Sequence, residues 1–236
     1  MTTQSGNNQN PNQRRDGCIL FFVKDPDTGT VKTRLGSELG EKKSRELYRC
    51  FVQDMLGSLN KTGHPCRVHI TPPDREPQFR KWLGDQYDYA AQAQGDLGER
   101  MELAFQQAFD DGFERAVIIG SDIPDISPYT MKEALRSLKA NDAVIGPAKD
   151  GGYYLIGFST QSFLPAVFSG IDWSTSRVFQ QTMDVFFEAE YTVHTLPKWH
   201  DVDTVEDLRA FAKRNQAGDF KDSCTMQQIK KIKIKL

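Results

Sequence analysis

Residues 116–125 read AVIIGSDIPD, an apolar run that ends at a glycine and continues into an acidic turn. Five successive residues without a polar side chain are typical of a β-strand that is covered on both faces. In open α/β sheets, ligands bind outside the carboxyl ends of the strands, which is where Asp122 would lie. This stretch therefore predicts a fold class and one place to look for function.

Strand-like and helix-like segments alternate on both sides of this run. Short apolar runs predict further strands at residues 18–23, 67–70, 143–146, 153–158 and 191–196, with a weak strand near 87–93. Apolar residues at helical spacing predict helices between these strands. The alternation predicts an α/β fold, a three-layer sandwich with a mostly parallel central sheet between two helix layers.

Capping residues predict where two of the helices begin. Ser127 followed by Pro128 is typical of an N-cap and a first helical position. Thr204, with Asp207 three residues later, predicts a reciprocal capping box. Asp125 is a further candidate cap, and a better one than Asp122.

The composition of the 236-residue chain is that of an ordinary globular protein, with 38% hydrophobic and 26% charged residues and a net charge of -2. We expect no general affinity for nucleic acid or membranes, since there is no basic excess and no apolar run of about 18 residues. We expect a flexible N-terminal tail at residues 1–16 with no signal peptide, one domain at 17–214, and a C-terminal extension at 215–236 that could be an edge strand, a helix or disordered.

The four cysteines (Cys18, Cys50, Cys66 and Cys224) form no Cys-x-x-Cys pair. They are interpreted as buried free thiols of a cytoplasmic protein.

Residues 24–35 read KDPDTGTVKTRL and follow the first predicted strand directly. Gly29 lets the backbone approach a ligand, and Lys24, Lys32 and Arg34 add three cations. This combination suits a diphosphate or triphosphate, although a solvated basic loop explains it equally well. Gly-Lys-Ser/Thr is absent, so the loop is not a Walker loop.

Three later segments carry further candidates. Residues 94–100 read QGDLGER, which indicates either a tight turn or exposed backbone that contacts the edge of a nucleotide base. Asp122 at a strand end is a candidate ligand for Mg²⁺ or Mn²⁺, with turn ordering as the alternative. Asp201 and Asp203 alternate ahead of the last helix and are candidates to complete that site, with local turn bonding as the alternative for Asp203. His200 is interpreted as a surface residue.

Five motifs together resemble a known family. They are residues 22–35, 94–100, 120–124, 150–157 and 201–208, and they extend over about residues 17–212. The chain resembles the nucleotide-diphospho-sugar transferase superfamily, with its glycosyltransferase A-type fold. Within it, the likeness is to the small bacterial group of phospholactate-guanylyltransferase-like proteins, also described as predicted glycosyltransferases.

The resemblance implies roles for individual residues. Asp122 and Asp203 are the implied metal ligands, for Mg²⁺ or Mn²⁺. The implied nucleotide-binding residues are Lys24, Gly29, Lys32, Thr33, Arg34, Gln94, Gly95, Leu97 and Gly98. The implied substrate-binding residues are Asp150, Gly151, Gly152 and Tyr153. The expected catalytic residues are Lys32, Arg34, Asp122 and Asp150.

Three functions remain open at this point. The favoured one is metal-dependent nucleotidyl transfer, in which a nucleoside triphosphate joins a phosphorylated sugar or small acid and pyrophosphate leaves. Gly120 stands where many glycosyltransferases carry the first acid of an Asp-x-Asp pair, which favours nucleotidyl transfer. The second is glycosyl transfer from a nucleotide-sugar, with Asp150 as the base. The third is a nucleotide-binding protein without turnover.

Overall fold

The computed structural model describes residues 15–28 and 31–232. The strands are β1 (Cys18–Lys24), β2 (Cys66–Thr71), β3 (Asp88–Ala91), β4 (Arg115–Ile119), β5 (Ala143–Pro147), β6 (Tyr153–Ser159) and β7 (Val193–Thr195). The helices are α1 (Thr33–Leu39), α2 (Glu41–Asn60), α3 (Glu76–Leu83), α4 (Leu97–Asp110), α5 (Pro128–Ser137), α6 (Val178–Glu188), α7 (Val205–Arg214) and α8 (Cys224–Ile232). No helix in these ranges combines the length and apolar character needed to cross a membrane.

The strands form one sheet in the order β3-β2-β1-β4-β6-β5-β7. β1 pairs in parallel with β2 and β4, β2 with β3, and β5 with β7. β6 runs antiparallel between β4 and β5. Because of this reversal, β6 begins where β4 and β5 end, so the loop before it reaches the edge at which the parallel strands finish.

Apolar side chains cover the sheet on both faces. Ile19 and Phe21 of β1 pack in one core cluster with α2, α3 and α5. Leu20 and Phe22, which point the opposite way, pack in a second cluster with α4 and α6. The predicted α/β three-layer sandwich with a mostly parallel sheet is confirmed.

The two helix starts predicted from capping residues, those of α5 and α7, are confirmed. The Ser127 hydroxyl accepts a hydrogen bond from the Tyr129 N–H (3.1 Å), and Thr204 and Asp207 form the predicted capping box. α1 was not predicted, because a seven-residue helix with only Leu35 buried has too little apolar periodicity to show in the sequence.

The described part of residues 215–236 ends in α8, which packs on α2. α8 contributes Met226 and Ile229 to a third apolar cluster, which also contains side chains of α1, α2 and α7. Cys224 forms a disulfide with Cys50 of α2, with a Cα–Cα distance of 5.0 Å. The prediction of free thiols is therefore wrong for this pair, since residues 174 apart in sequence show nothing of their proximity. Cys18 and Cys66 are free.

Candidate functional site

A cleft of about 690 Å³ opens where the predicted loops converge. Most of the predicted site residues line it, namely Lys24, Lys32, Thr33, Arg34, Leu97, Asp122, Asp150, Gly152, Tyr153 and Asp203. These residues come from loops that are far apart in sequence. The sheet brings them together because β1 and β4 are parallel neighbours and β6 starts beside the end of β4.

Lys32 lies at the centre of the charged part of the cleft. Its Nζ is 2.5 Å from an Asp122 carboxylate oxygen and 2.7 Å from an Asp203 carboxylate oxygen. The Lys32 side chain is 3% exposed, whereas those of Asp122 and Asp203 are 48% and 39% exposed. The two implied metal ligands therefore meet around one ammonium and keep part of their surface open.

A backbone contact explains why Asp203 lies beside Asp122. The Val202 N–H donates to the Asp122 carbonyl oxygen at 3.0 Å, which joins the segment before α7 to the loop after β4. Val202 itself is fully buried, so it anchors the segment in the third apolar cluster. The carboxylate of Asp203 is thereby held at the carboxyl end of β4.

The environment of Lys32 keeps its side chain charged and in place. Burial lowers the pKa of this ammonium, but the negative charges of Asp122 and Asp203 outweigh it and raise the pKa above its ordinary value. The ring of Phe51 lies 5.5 Å from Nζ and adds a cation–π contact. The backbone of Lys32 is left-handed (φ 51°, ψ 48°), which is uncommon for a residue other than glycine.

Tyr48 supports the floor of the cleft. Its hydroxyl accepts a hydrogen bond from the Lys24 N–H at 2.9 Å and contacts the Ser121 hydroxyl at 2.8 Å. It thereby joins the ends of β1 and β4. Tyr48 lies among the buried residues of α2, and no local signal in the sequence distinguishes it from a core residue.

Asp201 lies near the acids of the cleft without joining a metal cluster. Burial raises its pKa to about 8, and the charges of Asp122, Asp150 and Asp203 add to that effect. Over the described part of the chain, no group of three His, Cys, Asp or Glu side chains is placed to hold a metal ion. The structure therefore does not bring Asp201 into one set with the other two acids.

The Asp125 side chain bonds to distant parts of the fold and does not cap a helix as predicted. Its carboxylate accepts two hydrogen bonds from the Arg214 guanidinium (2.6 and 3.0 Å), one from the Asn215 amide (2.8 Å) and one from the Trp199 indole (3.0 Å). Ser127 caps α5 instead. From the sequence, the aromatic residues Trp173 and Trp199 could serve either an acceptor site or an interface; in the structure the Trp199 N–H is used in this anchor.

The loop at residues 24–35, predicted to bind phosphates, is described only in part. Lys24 and Arg34 are exposed residues that line the cleft. Within the described ranges, Arg34 has no ion pair, so its guanidinium is free for an anion. Gly29 lies outside the described residues.

The segment predicted near the base contributes one side chain to the cleft. Leu97 lines it and is 41% exposed, whereas Gln94 and Gly95 are exposed at the turn before α4. Gly98 is buried against Trp173, and a Cβ added there would lie 2.6 Å from the Phe168 carbonyl oxygen. Close packing accounts for this glycine.

The loop before β6 reaches the cleft beside a second loop, residues 173–176, of which sequence reasoning singled out only Trp173. One Asp150 oxygen accepts from the Gly152 N–H at 2.9 Å, and Tyr153 is packed edge-on to Trp173. A Cβ on Gly151 (φ 94°) would lie 2.3 Å from the Ser176 carbonyl oxygen, so glycine permits this approach. Trp173 to Ser176 also line the cleft, although a short polar loop carries no distinctive signal.

The donor set fits a divalent cation. Mg²⁺ and Mn²⁺ prefer oxygen ligands, and Mg²⁺ usually takes one or two carboxylates, with phosphates and water supplying the rest. Asp122 and Asp203 already direct two carboxylate oxygens to one cationic atom. Two carboxylates suffice for a cation that arrives with a phosphate ligand.

Comparisons with known proteins agree with this architecture. A crystal structure from Desulfovibrio desulfuricans G20, provisionally described as a nucleotide-diphospho-sugar transferase, is 47% identical and has a TM-score of 0.88. That similarity covers 92% of this chain and 94% of the other. The 4-diphosphocytidyl-2C-methyl-D-erythritol synthase of Anaerococcus prevotii DSM 20548 is 13% identical, with a TM-score of 0.56 over 84% of this chain and 98% of that one. This second likeness shows the fold alone.

Sequence relatives define the family. The 2-phospho-L-lactate guanylyltransferase of Methanothermobacter thermautotrophicus is 30% identical over 126 residues, which are 52% of this chain and 53% of that protein. The chain thus spans about half the length of this relative. The family model described as "Uncharacterized protein conserved in bacteria (DUF2064)" matches residues 56–175, just over half of the chain. The chain therefore belongs to the DUF2064 family and to the nucleotide-diphospho-sugar transferase superfamily.

Proposed function

We propose that this protein is a metal-dependent nucleotidyltransferase that joins a nucleoside triphosphate to a phosphorylated small acid or sugar and releases pyrophosphate. The observation that carries the proposal is the meeting of Asp122 and Asp203 around Lys32 in an open cleft. The similarity to a 2-phospho-L-lactate guanylyltransferase supports the same class of reaction.

The cleft residues suit a polyphosphate substrate. The exposed side chains of Lys24 and Arg34 place two cations at the rim, and Lys32 adds a third at the floor. Cations placed in the cleft stabilise negative charge that grows on the leaving pyrophosphate. The guanidinium of Arg34 matches the planar, two-point geometry of a phosphate.

Asp122 and Asp203 would hold the divalent cation, Mg²⁺ or Mn²⁺. When bound, such a cation neutralises phosphate charge and orients the triphosphate for in-line attack. The acceptor's phosphate oxygen, which is already ionised near neutral pH, would form a bond to the α-phosphorus of the triphosphate as the bond from that phosphorus to pyrophosphate breaks. The chain then needs no general base, and its contribution is to orient the two substrates.

Glycosyl transfer from a nucleotide-sugar is the second candidate. It is favoured by Asp150, an exposed carboxylate in the cleft that has one oxygen engaged by the Gly152 N–H. The other oxygen is a candidate to accept a proton from a hydroxyl acceptor, which an inverting glycosyltransferase requires.

A thermal-shift screen separates these functions. The full chain is mixed with each nucleoside triphosphate or with a panel of nucleotide-sugars, in Mg²⁺, Mn²⁺ or chelator. A ligand that binds the folded state raises Tm by mass action. Stabilisation by one triphosphate with Mg²⁺, lost in chelator, supports nucleotidyl transfer, and pyrophosphate release is then measured with phosphorylated acids and sugars.

Other results of the screen contradict the proposal. Stabilisation by a nucleotide-sugar alone supports glycosyl transfer, and triphosphate binding without turnover on any acceptor supports a binding protein. Arg34→Met and Arg45→Met form a matched pair, since Arg45 is paired with Glu41 outside the cleft. Triphosphate affinity should fall by about tenfold in Arg34→Met and stay unchanged in Arg45→Met.

A further inference from the structure

Lys32 and a divalent cation have the same ligands in this cleft. The Asp122 and Asp203 oxygens that contact Nζ are the oxygens proposed to hold the cation. Metal–oxygen distances are about 2.0–2.1 Å for Mg²⁺, so an ion on both oxygens would overlap an ammonium that stays at 2.5 and 2.7 Å from them. The two cations therefore exclude each other.

The ammonium is firmly held in its present position. Its side chain is 3% exposed, two carboxylates contact it and the Phe51 ring lies below it. The backbone of Lys32 is fixed as well, because its carbonyl oxygen accepts from the Gly36 N–H at 2.8 Å at the start of α1. A cation that enters alone must displace this ammonium from both carboxylates.

A polyphosphate in the cleft makes it easier to displace the Lys32 ammonium. Asp122 and Asp203 are partly exposed towards the cleft, and the lysine stem has four rotatable bonds, so Nζ can turn away without movement of the backbone. A polyphosphate offers new oxygen partners for the ammonium and further ligands for the cation. Binding of the polyphosphate and binding of the cation should then strengthen each other by the same factor.

We infer that Lys32 occupies the divalent-cation position of the ligand-free protein and leaves it only when a polyphosphate arrives, so that cation and nucleotide bind together. This inference concerns regulation of the cleft and rests on the proposed function. It gives Lys32 two successive partners: the acid pair in the free protein and the phosphate chain in the complex.

The test measures Mn²⁺ binding to the full-length chain in the absence of nucleotide, by electron paramagnetic resonance of free Mn²⁺. Lys32→Met keeps the stem but removes the competing ammonium, and it should bind Mn²⁺ at least about tenfold more tightly than the native chain. Lys24→Met is the matched control, since it removes a cleft cation that does not contact the acid pair. Its Kd should change by less than about threefold.

Two further variants keep the test decisive. The gain in Lys32→Met should vanish when Asp122→Asn is added, which locates the ion at the acid pair. Lys32→Gln gives the same comparison if the methionine variant does not fold, with folding checked by circular dichroism and thermal unfolding.

The possible results distinguish the inference from the proposed function. Equal Asp122-dependent Mn²⁺ affinity in the native chain and in the Lys32 variants overturns the inference and leaves the metal-dependent function intact. If no variant shows Asp122-dependent Mn²⁺ binding, with or without a nucleoside triphosphate, the metal site and the proposed function both fail.

Discussion

Asp122 and Asp125 lie in the same loop after β4, three residues apart, but their surroundings are opposite. Asp125 is 6% exposed and is satisfied by fixed donors of Arg214, Asn215 and Trp199. Asp122 is 48% exposed and shares one ammonium with Asp203. A carboxylate with all its partners fixed contributes to stability, whereas one that keeps an open side and an exchangeable partner is available for binding.

Asp122→Asn should have the largest effect, and it should act on binding. We expect affinity for a nucleoside triphosphate with Mg²⁺ to fall by about 100-fold or more, because one of two metal ligands loses its charge. The free energy of unfolding should fall by less than in Asp125→Asn, because Asp203 and the Phe51 ring stay in contact with the buried Lys32 ammonium. Isothermal titration calorimetry and urea unfolding measure the two quantities.

Asp27→Asn is the matched control for this variant. Asp27 is a 54%-exposed carboxylate that pairs with Arg49, and it does not contact Lys32. It should leave the affinity unchanged. Unaltered metal dependence in Asp122→Asn would show that Asp122 is not a ligand.

Asp125→Asn should act on stability instead. Loss of the charge weakens the two-point contact with Arg214 in a buried setting, and we expect a loss of roughly 2–3 kcal/mol in the free energy of unfolding. Where the variant is fully folded, its affinity for triphosphate with Mg²⁺ should stay within about twofold of the native value. Urea unfolding provides the measurement, and a loss of binding in this variant would remove the contrast between the two acids.

The pH dependence of stability should report on the contacts of Asp125. Burial alone raises the pKa of Asp125, but hydrogen bonds from Arg214, Asn215 and Trp199 outweigh it and hold the pKa below its ordinary value. A carboxyl group whose pKa is lower in the folded state than its unfolded pKa of about 3.9 stabilises the protein at pH values above that unfolded pKa. This contribution is lost as pH falls through the folded pKa. Unfolding midpoints measured from pH 6 to 3 should therefore fall less steeply in Asp125→Asn than in the native chain. Parallel curves would contradict this assignment.

Tyr48→Phe should have the smallest effect. It removes the hydroxyl that joins the Lys24 N–H to the Ser121 hydroxyl, and we expect a loss of about 1 kcal/mol in the free energy of unfolding. Triphosphate affinity should fall only a few-fold, because the strand ends that carry Lys24 and Asp122 become less fixed. Tyr89→Phe, whose hydroxyl donates to the Gly84 carbonyl far from the cleft, is the control and should leave that affinity unchanged.

Features that depend on neighbours in sequence were predictable. The apolar run at β4, the capping box at Thr204 and the alternation of strands and helices each follow from side chains a few residues apart. They determined the fold class and located Asp122 at a strand end. The ordered set of motifs also indicated the superfamily.

Only the tertiary structure decided which of these residues share partners. Lys32 was assigned to phosphates, yet in the folded chain it lies between two acids that follow it by 90 and 171 residues in sequence. Asp125 and Asp122 have similar local sequence, and burial against Arg214 and Trp199 is what separates them. Cys50 and Cys224 likewise meet only because α8 packs on α2. Contacts of this kind are set by strand order, by the direction of β6 and by the packing of the last two helices, and none of these is recorded in any short stretch of sequence.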